Sequence, residues 1–182
     1  HAAANLNAVT ADTIQVSVQS TTESTPETVV LTETGVNTGL FTGSIALTAG
    51  SPVANGTLQV THGDQITATY APLNQTATAL VDSVAPTISN VTATSRASSA
   101  EIRWNTNELA SGEVRYGTSA GSLNQTSTVT ALATSQLAVI VGLIPQTTYY
   151  YQVISRDAAG NESSSAVSSF TTLTAAPILF VD

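Results

Sequence analysis

From residue 13 onward, apolar and polar residues alternate with period two in short runs. Ile14, Val16 and Val18 share one parity, and so do Val29 and Leu31, Ile66, Ala68 and Tyr70, and Ala77, Ala79 and Val81. Alternation of this kind places every second side chain on one face of an extended strand. The runs are separated by clusters of Gly, Pro, Asn, Asp and Ser, the residues that make turns. No long segment has the 3.6-residue spacing of an amphipathic helix, so the chain is expected to be all-β. Residues 1–12 are rich in Ala and Asn and weakly patterned, and hold either a short first strand or a frayed end.

In Thr38-Gly39-Leu40-Phe41-Thr42-Gly43-Ser44-Ile45, the parity puts Phe41 and Ile45 on one face with Leu47. Gly43 between them is expected to admit a bulky neighbour or another backbone. A phosphate cradle is excluded here, because no Lys follows these glycines and no helix opens after them. Thr57–Thr61, Gln65–Tyr70 and Gln75–Asp82 complete a first set of strands. Asp82-Ser83-Val84-Ala85-Pro86 then marks a boundary, because proline holds the residue before it extended and stops the strand.

The pattern restarts at Thr87. Strands are expected around Ile88–Ala93, Ala100–Trp104 and Glu113–Gly117, then Gln125–Thr130, Gln136–Val141, Thr148–Ser155 and Ala166–Thr172. Ile102 and Trp104 face the core, as do Val114 and Tyr116. Leu143-Ile144-Pro145-Gln146-Thr147-Thr148-Tyr149 reads as a corner leading into a buried strand on which Tyr149, Tyr151 and Val153 point inward. A Tyr there buries its ring and returns its hydroxyl to nearby backbone.

Two stretches carry resemblances. Glu33-Thr34-Gly35, Thr38–Gly43 and Gly63–Tyr70 resemble a bacterial immunoglobulin-like module of large surface proteins and of regions downstream of secreted proteases. Trp104, the corner residues Leu143, Pro145, Thr147 and Tyr149, and the loop Asp157-Ala158-Ala159-Gly160-Asn161 resemble a fibronectin type III domain. Val114–Ser119 resembles a variant found beside secreted hydrolases, including the N-terminal domain of purple acid phosphatases. The adhesion tripeptide Arg-Gly-Asp is absent. The resemblances imply two tandem Greek-key β-sandwiches, an immunoglobulin-like one over residues 1–83 and a fibronectin type III one over 84–174. Residues 175–182 form a tail, whose continuous apolar run Pro177–Val181 suits the first buried strand of a further α/β domain. The alternative is a tail that covers a sheet edge.

Charge and composition narrow the function. The net charge is −8, and the chain has no Cys and no Met. Disulfides, Cys-ligated zinc and thiol chemistry are therefore excluded. Residues 1–83 hold Asp12, Glu23, Glu27, Glu33, Asp64 and Asp82 but no Lys or Arg, and all four arginines follow. Such a surface repels phosphate backbones, so no nucleic-acid partner is expected. No apolar run is long enough to insert in a membrane. The chain begins at His1 rather than Met, which suits a mature fragment or an excised piece.

Catalysis finds little support. Only His1 and His62 could serve a Ser-His-Asp triad, and His62 sits in a short turn. No two carboxylates share a predicted pocket as a glycosidase needs, so no catalytic residue is assigned and the chain is read as a non-enzyme. Calcium, which needs several loop oxygens, has candidates in Glu33 with Asn37, Asp64 and Asp82, and Asp157 with Asn161 and Glu162. None has the dense Asp-x-Asp spacing of a dedicated loop, and Asp157 and Asn161 also suit a hydrogen-bonded turn. Tyr150 is the one tyrosine pointing away from the core, which gives glycan binding a thin basis.

The expectation is a monomeric accessory or spacer module of a larger secreted or cell-surface bacterial protein, in contact with neighbouring domains of the same polypeptide. The resemblances suggest an extracellular hydrolase such as a subtilisin-like protease as parent. The alternative is an adhesion module for polysaccharide or extracellular protein.

Overall fold

The computed structural model describes Asn7 and residues 9–175; the expectations for most of the first twelve residues and for the apolar run 177–181 fall largely or wholly outside that range. The chain divides between Ser83 and Val84 into two compact units. Among the described residues no helix is long and apolar enough to cross a membrane.

In the first unit, β1 (Thr13–Ser20), β2 (Glu27–Glu33), β3 (Phe41–Thr42), β6 (Gln65–Tyr70) and β7 (Gln75–Leu80) form one antiparallel sheet in the order β3-β2-β1-β6-β7. Against it lie β4 (Ala46–Thr48) and β5 (Thr57–Gln59), which pair in parallel. Val18, Val29, Leu58 and Val60 are buried between the layers, flanked by Val16, Leu31, Ile45, Ile66, Ala68 and Val81. Gly43 has the role expected of it: a Cβ there would lie 2.6 Å from Leu31 Cδ2 and 2.8 Å from the Val30 carbonyl oxygen. Shared parity does not bring burial everywhere. Leu47 is half exposed, and Ala77 and Ala79 lie in the fully exposed β7, because the second layer is too short to cover them.

In the second unit, β8 (Ile88–Ser95), β9 (Ser99–Gly117), β10 (Gln125–Val141), β11 (Thr148–Asp157), β12 (Glu162–Ser164) and β13 (Ser168–Thr171) form one curled antiparallel sheet. The sequence divides Ala100–Gly117 into two strands; the structure joins them in β9. Its first half pairs with β8 and the second half of β10, and its second half pairs with β11 and the first half of β10. Register shifts between Val129 and Ser135 let the β9–β10 ribbon fold over, which makes two layers from one hairpin. The core between them contains Ile102, Trp104, Val114, Tyr116, Ile140, Leu143, Tyr149, Tyr151, Val153 and Phe170. Aromatic rings cluster at its centre, with Tyr149 and Phe170 stacked at 5.8 Å.

Candidate functional site

The second unit is organised by two buried polar contacts. Tyr149 is buried, and its hydroxyl oxygen accepts the Ile144 N–H at 3.1 Å, which is the predicted corner. Trp104 is also buried, and its Nε1–H donates to Ser155 Oγ at 3.0 Å. The first gives the buried phenol a partner, and the second satisfies an indole donor that burial would otherwise leave without water. They make these aromatics structural rather than ligand-facing.

The first unit has no Lys or Arg, yet Glu23, Glu27, Glu33 and Asp64 are buried in it. Their partners are backbone N–H groups. Glu23 Oε2 accepts from Gln59 N at 2.8 Å, and Glu27 Oε1 from Asn55 N at 2.6 Å. Glu33 accepts from Gly39 N at 2.6 Å and from Asp12 N at 3.1 Å, and Asp64 from Thr61 N at 2.8 Å. The three glutamates thus fix loops to strands, and Asp64 closes the turn from Thr61 to Asp64, through charge-assisted hydrogen bonds. The Gly39 N–H, helped by Asp12 and Thr38, holds the Glu33 carboxyl below its ordinary value. The Thr61 N–H and the Thr22 hydroxyl do the same for Asp64.

Most of the proposed calcium ligands serve turns. Asp157 uses both oxygens locally: Oδ1 accepts from Asn161 N at 2.9 Å, and Oδ2 from Asn161 Nδ2 at 2.8 Å. Burial pushes the Asp157 carboxyl up, but the Asn161, Gly160 and Ala159 donors outweigh it, and the net shift is downward. Asp64 and Asp82 do not converge on one point: the Asp64 carboxylate turns to Thr61, and Asp82 Oδ1 lies 3.4 Å from His62 Nδ1. Asn37 adopts a left-handed turn conformation at φ 61° beside Glu33. Glu162 pairs with Arg156 at 2.5 Å. Glu108, which no sequence pattern ties to Asp157, stands near it, with carboxylate oxygens within 4.8 Å.

His62 is exposed and accepts the Ser83 N–H at 3.2 Å. The second unit contains no histidine. A surface hollow of about 340 Å³ beside Arg115 and Arg156 is neutralised internally by the Arg115–Glu113 and Arg156–Glu162 pairs.

Residues 86–172 match the family described as Purple acid Phosphatase, N-terminal domain. No curated protein matches the sequence. Among solved structures, the FN1–FN3 domains of chicken CNTN1 align with a TM-score of 0.52 at 16% identity, over 88% of this chain and 56% of that one. The third fibronectin III domain of human KIAA0343 protein aligns at 20% identity and a TM-score of 0.38, over 54% of this chain and 88% of that one. Buried Trp104, the Tyr149 corner and the curled sheet that joins them therefore lie in a region, residues 86–172, that is similar to the fibronectin-III-like N-terminal domain of purple acid phosphatases.

Proposed function

We propose that this chain is a non-catalytic accessory segment of a larger secreted or surface-attached bacterial protein. Its two sandwiches, an immunoglobulin-like one followed by a fibronectin type III one, would space and orient neighbouring domains of the same polypeptide. The observation that carries this reading is the match of residues 86–172 to a domain that accompanies a phosphatase rather than performing its chemistry. The polar groups of the second unit support it, since they are used in turns, ion pairs and core anchoring. The inferred parent is an extracellular hydrolase, with a subtilisin-like protease as the specific expectation.

The test has two arms. Peptide mapping of the native protein is expected to find these residues within a longer polypeptide that carries a catalytic domain. The isolated chain is expected to give no turnover with p-nitrophenyl phosphate, casein or p-nitrophenyl glycosides, with or without added calcium. Turnover that follows the chain through purification would overturn the reading.

A further inference from the structure

The first unit has unequal layers. Among the described residues one contains five strands, and the other only β4 and β5, three residues each. Pairing with β6 puts Gln75, Ala77 and Ala79 of β7 on the same face as Tyr70, Ala68 and Ile66. That is the face that meets the core, yet every residue of β7 is exposed. Between β7 and Gly43–Ser44–Ile45 lies an open groove of about 450 Å³, lined by Val16, Leu31, Ile45, Ala68, Tyr70 and Ala77 among others. Its size falls within the range of ligand-holding clefts.

The wall of this groove is also a sheet edge. β7 ends the order β3-β2-β1-β6-β7 and pairs, among the described residues, with β6 alone. Its sequence, Gln75-Thr76-Ala77-Thr78-Ala79-Leu80, has no charge and no proline, and its register is unbroken. Edges left without Lys, Pro or a bulge are templates for another strand. A strand added to β7 would continue the sheet, and its alternate side chains would point to the groove face.

We propose that the β7 edge and its groove dock an extended segment of another polypeptide, with apolar residues at alternate positions and basic residues at its ends. The basic ends follow from charge: residues 1–83 carry six carboxylates and no Lys or Arg. Such a field draws in cationic partners and favours their correct seating. A second copy of this chain fits less well, because it carries the same net charge of −8 and would be repelled. The site lies in the first unit and does not depend on the accessory role, which rests on residues 86–172.

The probe is the synthetic peptide Lys-Val-Thr-Val-Thr-Val-Lys, titrated into the full chain and followed by amide chemical shifts and calorimetry. Saturable one-to-one binding is expected, with shifts concentrated in β7 and the groove lining. Ala77→Trp, at an exposed position, fills the groove and should weaken binding about tenfold or more while leaving the melting temperature unchanged. Replacing the three valines by serine should abolish binding, and exchanging both lysines for glutamate should weaken it about tenfold at low salt. The proposal is overturned if no saturation occurs up to about 1 mM peptide, if the serine peptide binds equally, or if the shifts fall elsewhere. Concentration-dependent loss of β7 signals without peptide would make the occupant a second copy, and would overturn it too.

Discussion

The indole of Trp104 occupies the space that a side chain at position 112 would need: a Cβ built on Gly112 would lie 2.2 Å from Trp104 Cζ2 and 3.0 Å from Cη2. Both residues belong to β9 and face each other across the core only because the strand bends between the two layers. Gly112 is also paired in register with Ser155, whose Oγ accepts the indole N–H. One cross-strand pair therefore supplies both room and a hydrogen-bond acceptor. Gly112→Ala should destabilise the second unit by about 1–3 kcal/mol, the usual cost of overpacking. Trp104→Phe removes the clashing atoms, so the double variant should lose less than the two single losses added together. Denaturant unfolding followed by circular dichroism measures all three; strict additivity would show that the contact carries no coupling.

The corner gives a sharper contrast between neighbouring tyrosines. Tyr149→Phe keeps the ring packed against Phe170 but removes the acceptor of the Ile144 N–H, and should cost about 0.5–1.5 kcal/mol. Tyr150→Phe alters a half-buried residue on the opposite face and should stay within about 0.5 kcal/mol. Equal losses for the two variants would remove the special role of the Tyr149 hydroxyl.

Much of this was legible in the sequence, and the failures have physical causes. The Tyr149 corner and the inward set Ile102, Trp104, Val114 and Tyr116 follow from strand parity and local turn residues. Parity also makes Glu27 and Glu33 inward, on the face of Val29 and Leu31. Reading them as surface charge misses this, because their N–H partners at Asn55, Gly39 and Asp12 lie in other segments. Ala77 and Ala79 have the right parity but stay exposed, since coverage depends on the length of the opposing layer. Gly112 sits in a strand, and nothing local shows which ring will rest on it. The proximity of Glu108 and Asp157 is likewise a product of the fold.

Gly43 should tolerate no side chain. Its space is held by Leu31 Cδ2 and by the Val30 carbonyl oxygen, and a backbone oxygen cannot move aside as a side-chain end can. Gly43→Ala should destabilise the first unit by about 1–3 kcal/mol. Leu31→Ala in the same chain relieves the contact with Cδ2 but not that with the carbonyl, so rescue should be partial. Full rescue in a thermal melt would place the strain on Leu31 alone.

The carboxylate anchors make the first unit sensitive to acid, and the sign follows from the shifts. Glu33 and Asp64 have folded values held below the ordinary 4.5 and 3.8. Groups depressed in this way contribute stability that is complete above the unfolded value and is lost as pH falls through the folded one. Melting temperature should therefore be level near neutrality and fall as pH drops below 4.5, and then further below 3.8. Glu33→Gln cannot accept charge-assisted bonds from both Gly39 and Asp12, because its amide nitrogen turns a donor toward one of them. That variant should melt lower than the parent at neutral pH and show a shallower decline on acidification, so the two curves converge in acid. Added salt should not reproduce the effect, since the anchors are buried hydrogen bonds rather than screened surface pairs. Parallel curves for parent and variant, measured by calorimetry from neutral to acid pH, would show that Glu33 is not the group whose protonation loosens the unit.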